Sequence, residues 1–118
     1  MPTASKVQRH RRVRDQIEVE IVGDLVRDRA LTHDLSAGGL FVDTAQEYAV
    51  GQEVRLSFTI DRKLIWARAR VVHVKSMVGL GLEFVELSPI DRERILRYVH
   101  RERARLEAVR LLDANPLG

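Results

Sequence analysis

Asp34-Leu35-Ser36-Ala37-Gly38-Gly39 lies between two apolar stretches, Ala30-Leu31-Thr32 and Leu40-Phe41-Val42. Aspartate and serine side chains accept hydrogen bonds from backbone N–H groups two residues ahead, which folds the chain into a turn. Gly38 and Gly39 tolerate positive φ, so the turn can be sharp and a ligand can approach the backbone closely. With strands on both flanks, the six residues are expected to form an exposed hairpin tip. Taken alone they admit two readings: a plain tight turn, or a turn whose carboxylate and hydroxyl read hydrogen-bond donors on a ligand.

Outward from this turn the chain alternates. Ile17, Val19 and Ile21 are separated by Glu18 and Glu20, the period of a half-buried strand. Gly23-Asp24 loosens it before Leu25 and Val26, and Arg27-Asp28-Arg29 reads as a charged turn. Ala30 to Leu35 and Leu40 to Asp43 are the second and third strands. After a connector from Ala45 to Gly51, Val54, Leu56, Phe58 and Ile60 alternate with Arg55, Ser57 and Thr59. Asp61-Arg62-Lys63 is a polar hairpin tip. Leu64 to Val74 is a long strand, with Ile65, Ala67, Ala69, Val71 and His73 on one face. Trp66, Arg68, Arg70, Val72 and Val74 lie on the other, Trp66 either under the helix that follows, the reading preferred, or lining a ligand face. A hairpin near Lys75-Ser76-Met77 leads into Gly79 to Val85, where Gly79 and Gly81 share a face and allow close packing.

The period then changes to that of a helix. Ser88-Pro89-Ile90-Asp91 supplies an N-cap, a proline at the first helical position and an acid three residues after the cap. Ile95, Val99, Leu106 and Val109 recur at helical spacing, with Arg92, Arg94, Arg97, Arg101, Arg103 and Arg105 facing solvent. Asp113-Ala114-Asn115-Pro116 stops the helix near Leu112. Six short strands followed by one helix predict a mainly β fold, a six-stranded antiparallel barrel with a C-terminal α-helix. The boundaries expected are a flexible arm over 1–8, one domain over 9–112 (barrel about 15–86, helix about 88–112) and a tail over 113–118.

Composition narrows the function classes. At 118 residues there is room for one modest core. Hydrophobic residues at 45% and charged residues at 31% give the ordinary balance of a globular domain. Without cysteine there is neither a disulfide framework nor a thiolate metal site, which fits a reducing cytoplasm. No apolar run reaches membrane-spanning length, and no apolar segment follows the basic N-terminus to make a secretory signal. His33, His73 and His100 have no acidic or thiol partner at ligand spacing and read as structural. No nucleophile–base pair, paired acids or phosphate loop stands out, so the chain does not read as an enzyme.

Lys6, Arg9, Arg11, Arg12 and Arg14 all precede the first acidic residue, Asp15. Such an arm suits a polyanion. His10-Arg11-Arg12-Val13-Arg14, followed about twenty residues later by Asp34-x-Ser36-x-x-Gly39, resembles the signature of the PilZ domain. That signature is an Arg-Arg-x-x-Arg or Arg-x-x-x-Arg segment and then Asp/Asn-x-Ser-x-x-Gly. The second motif is matched in full. In the first, alignment on Arg14 puts Arg11 in the second arginine position and His10 in the first. The resemblance runs over roughly residues 8 to 105 and includes the strand order and the closing helix.

The resemblance implies a receptor for the bacterial second messenger cyclic di-GMP, with motility or exopolysaccharide control as its setting. It implies Arg11, Arg14, Asp34, Ser36 and Gly39 as ligand residues, with Arg9, His10, Arg12 and Gly38 second in rank. The chemistry agrees. Arginine's planar fork pairs with guanine O6 and N7 or with phosphate oxygens, and it stacks on a purine face. A carboxylate at Asp34 accepts from guanine N1–H and N2–H₂. No cofactor beyond the ligand is implied, and with no output domain in the chain the effector is a separate protein. The alternative is a degenerate PilZ domain that binds no nucleotide and works as a protein-interaction adaptor. A nucleic-acid partner is disfavoured, because Phe, Trp and Tyr make up only 5% of the chain and stacking platforms are scarce. Leu106, Val109, Leu111 and Leu112 suit either pairing with a second copy or covering the chain's own barrel.

Overall fold

The alternating stretches become six strands: β1 (Glu18–Val22), β2 (Arg27–Ser36), β3 (Gly39–Asp43), β4 (Glu53–Ile60), β5 (Lys63–Lys75) and β6 (Gly79–Leu87). The computed structural model describes residues 13–114. The expected arm over 1–8 and most of the expected tail, 115–118, lie outside them. The strands close in the order β1-β2-β3-β6-β5-β4, every neighbour antiparallel. Closure leaves no free sheet edge, so each strand finds backbone partners on both sides.

Inward positions carry the core. Val19, Ile21, Leu35, Leu40, Val42, Leu56, Ile60, Ile65, Val71 and Leu80 are fully buried, and Phe58 stacks on Phe84 with ring centroids 6.3 Å apart. The helix α1 (Pro89–Ala114) begins as the cap residues dictate: Asp91 N–H donates to Ser88 Oγ at 3.1 Å. Its first half closes the barrel with Ile95, Tyr98 and Val99. At about 1.5 Å per residue, 26 residues make a rod of about 39 Å. That exceeds the two shorter dimensions of the molecule, 32 and 30 Å. The second half therefore overhangs, and Leu106, Val109, Leu111 and Leu112 stay exposed. They do not cover their own barrel.

Four expectations are corrected. Arg27-Asp28-Arg29 is strand, paired with β1; the turn is the four residues before it, closed by Gly23 N–H to Val26 O at 2.8 Å, with Leu25 97% exposed. Asp28 is needed there because it accepts from both Thr44 and Tyr48, tying down the β3–β4 connector. Burial, reinforced by the Asp28 carboxylate, pushes the Tyr48 hydroxyl well above the usual tyrosine range. His73 faces solvent, because a bulge between Val71 and His73 reverses the alternation and turns Val74 toward the core. Trp66 lies outside the cover of the helix, 61% exposed on the outer face of β5.

The β4–β5 tip is as expected. Ile60 pairs with Lys63 across Asp61-Arg62, both with positive φ (51° and 67°), a two-residue hairpin loop of the type favoured by strand twist.

Candidate functional site

The segment after the arginine run is laid along β2. Val13, 2% exposed, puts its side chain into the core and exchanges two backbone bonds with Leu35, at 2.9 and 3.0 Å. Thr32 then fastens the next stretch. Its buried hydroxyl donates to the Asp15 carbonyl and accepts from Ile17 N–H at 2.9 Å, while its own N–H donates to Ile17 O at 2.9 Å. A threonine at an inward position is thus the clip that holds residues 15–17. In the antiparallel sense, Arg14 and Asp34 stand one residue from the bridge on the two paired segments, on the same side of it. Arg14 is exposed and Asp34 is partly buried.

The motif turn is tighter than expected. Asp34, Leu35 and Ser36 belong to β2, and Ser36 pairs with Gly39, so the tip is only Ala37-Gly38, with Ala37 buried. Ser36 is 0% exposed; its hydroxyl accepts from Gly38 N–H at 3.1 Å and donates to Gly39 O at 3.3 Å. Gly39 does not need a left-handed backbone. Its role is close approach: a Cβ there would stand 2.0 Å from the Leu82 carbonyl oxygen, where β3 meets β6.

Helix α1 holds both segments, which sequence reasoning missed by assigning its arginines to solvent. Arg92 is partly buried and donates to Ala37 O at 2.8 Å, on the motif tip. Tyr98 donates to the Asp15 carboxylate, next to Arg14. Arg101 reaches the other two-residue tip with a two-pronged contact to Asp61, at 2.9 and 3.0 Å, and lies over the Tyr98 ring at 5.4 Å. That guanidinium holds the Asp61 carboxyl below its ordinary value. Arg92 and Tyr98 lie on helix turns that local periodicity could not assign to particular barrel loops.

Beside the bridge is a cleft of about 360 Å³ lined by Arg14, Asp15, Gln16, Thr32 and His33. His33 reaches it through a bulge: Thr32 pairs with Val42 and Asp34 with Phe41, leaving His33 as the extra residue. The imidazole meets Phe41 edge-on, with centroids 6.0 Å apart and planes at 73°. Of the residues expected at the site, the structure brings together Arg14, Asp34, Ser36, Gly38 and Gly39. Arg9, His10, Arg11 and Arg12 lie outside the described residues.

The PilZ domain model matches residues 6–101. The chain belongs to the PilZ family, a family of receptor and adaptor domains whose members bind cyclic di-GMP. Among curated proteins no sequence matches it. Among solved structures it is similar to the inhibitor of motility MotI/DgrA of Bacillus subtilis, with a TM-score of 0.75 at 23% identity over 82% of this chain. It spans about half, 51%, of that protein's length. The PilZ domain of YcgR from Escherichia coli, solved with c-di-GMP, has a TM-score of 0.66 at 19% identity, covering 85% of this chain and 95% of that one. PlzA of Borreliella burgdorferi, in complex with c-di-GMP, has a TM-score of 0.55 at 16% identity, covering 78% and 42%. These likenesses establish the barrel. Among the described residues, no helix is long and apolar enough to cross a membrane.

Proposed function

We propose that the protein is a cytoplasmic receptor for cyclic di-GMP that passes the signal to a separate protein in motility or exopolysaccharide control. The observation that carries this reading is the two-way backbone bridge between Val13 and Leu35. It fastens the end of the arginine segment one residue from Asp34, so one ligand can meet both. Arg11 and Arg14 then grip phosphate oxygens or a guanine O6/N7 edge, and Asp34 accepts from guanine N1–H and N2–H₂. Ser36 and Gly39, spent on the turn and on β6, keep the loop in shape, and Arg9, His10, Arg12 and Gly38 are second-rank contacts. The presence of c-di-GMP in the Escherichia coli and Borreliella structures supports the same ligand here.

Signal output follows from the helix ties. A ligand gripped by Arg11 and Arg14 pulls on the segment that the Val13–Leu35 bridge fastens to the barrel, and the adjoining Asp15 is bonded to Tyr98 of α1. A rearrangement of the arm therefore acts on the helix as well as on the motif tip held by Arg92. Isothermal titration of the chain with cyclic di-GMP, against GTP and cyclic di-AMP, tests the reading. Selective binding at micromolar affinity or tighter is expected. No heat and no thermal stabilisation at high ligand would end it and leave a PilZ adaptor acting through protein contacts alone.

A further inference from the structure

We infer that His33 is a base-stacking residue of this site, its imidazole lying against the face of the guanine whose edge Asp34 binds. The inference rests on the receptor reading above and adds a contact that lies outside both sequence motifs. In an unbroken strand, neighbouring side chains leave opposite faces, so His33 and Asp34 would point apart. The bulge removes that constraint. Ala30 and Thr32 face the core before it and Leu35 after it, so that two consecutive residues, His33 and Asp34, both turn outward. The carboxylate that reads a base edge and a flat aromatic ring thus emerge side by side.

The ring is also held in place. Phe41, the partner of Asp34 across β2–β3, meets the imidazole edge-on. Phe41 in turn lies over Gly79: a Cβ at that glycine would stand 2.6 Å from Phe41 Cε1. A glycine on β6 therefore makes room for the phenyl ring, and the phenyl ring backs the histidine. Arg14 lines the same 360 Å³ cleft. Purines stack on histidine rings and on arginine planes alike, so a base entering the cleft meets two kinds of suitable surface.

The test is titration of the whole chain with cyclic di-GMP in four forms: unsubstituted, His33→Ala, His33→Phe and His33→Gln. His33→Ala is expected to weaken binding by about tenfold or more, the scale of one lost base–aromatic stack. His33→Phe keeps the flat ring and binds within about threefold of the unsubstituted chain, and His33→Gln, polar but not aromatic, is as weak as His33→Ala. At saturation the imidazole protons of His33 shift upfield in the NMR spectrum. Because His33 is exposed, all four forms should melt alike without ligand. Unchanged affinity in His33→Ala overturns the inference and leaves the receptor reading standing. So does retained affinity in His33→Gln with loss in His33→Phe, which would mark a polar contact. An unsubstituted chain that ignores cyclic di-GMP refutes the receptor reading itself, and the inference with it.

Discussion

The barrel has two two-residue hairpin tips, and an arginine of the same helix holds each of them. At β2–β3 the tip is Ala37-Gly38, and Arg92 donates to the Ala37 carbonyl from a partly buried position. At β4–β5 it is Asp61-Arg62, exposed, and Arg101 grips the Asp61 carboxylate in solvent. The first tip is determined by packing: a serine consumed by its own turn, a buried alanine, and a glycine pressed against β6. The second is determined by backbone conformation, with two positive-φ residues and a charge pair that water and salt weaken. The comparison sets apart, within the Asp-x-Ser-x-x-Gly motif, Ser36 and Gly39, which build the tip, from Asp34, the residue proposed to read the ligand.

Substitution at Gly39 should break the comparison most forcefully. Gly39→Ala drives a methyl group into the Leu82 carbonyl oxygen, and we expect a loss of about 3 kcal/mol of stability, the upper end of overpacking costs. Thermal melts without ligand measure it; a stable Gly39→Ala that loses only ligand affinity would return Gly39 to the binding set. Asp34→Ala should do the reverse. An affinity loss of about 1–3 kcal/mol is expected, with a smaller loss of melting temperature in the free protein than Gly39→Ala causes. Titration beside a melt decides between them.

The second tip gives smaller effects. Arg62 holds a φ of 67°, uncomfortable for an L-residue with a long side chain. Arg62→Gly creates the Asp-Gly pair that such hairpins favour and should raise stability by about 1 kcal/mol in denaturant titration. A loss instead would show that the Arg62 side chain contributes more than its backbone costs. The smallest expected effect is pH-dependent. Arg101 lowers the Asp61 carboxyl below its ordinary value of 3.8, so the folded state favours the charged form. The resulting stabilisation is present above pH 3.8 and fades as pH falls from there through the depressed value. The stability gap between the unsubstituted chain and Asp61→Asn should therefore close in acid. A gap that persists to pH 2 would assign it to the turn rather than to the charge.

Much of the fold was legible because its determinants are local. Alternation in Val54 to Ile60 and in Leu64 to Val71 gave two strands, and Ser88 with Asp91 gave the helix start. These signals act within a few residues and survive without knowledge of partners. Misreadings occurred where a partner decides. Arg27-Asp28-Arg29 looks like a turn until β1 pairs with it and Asp28 meets Thr44 and Tyr48. His73 looks inward until the bulge against β6 turns it out.

The same boundary runs through the site. By itself the sequence determined that a basic segment and an Asp-x-Ser-x-x-Gly turn exist, and that their side chains suit a guanine nucleotide. Those properties belong to individual residue types and short spacings. Only the tertiary structure decided that Val13 bridges Leu35, that Ser36 is sealed inside its turn, and that His33 emerges beside Asp34. It also decided that Arg92 and Tyr98 connect the helix to both segments. Each depends on strand register and on how the helix crosses the barrel mouth. Register is a property of paired strands, and no stretch of either strand encodes it alone.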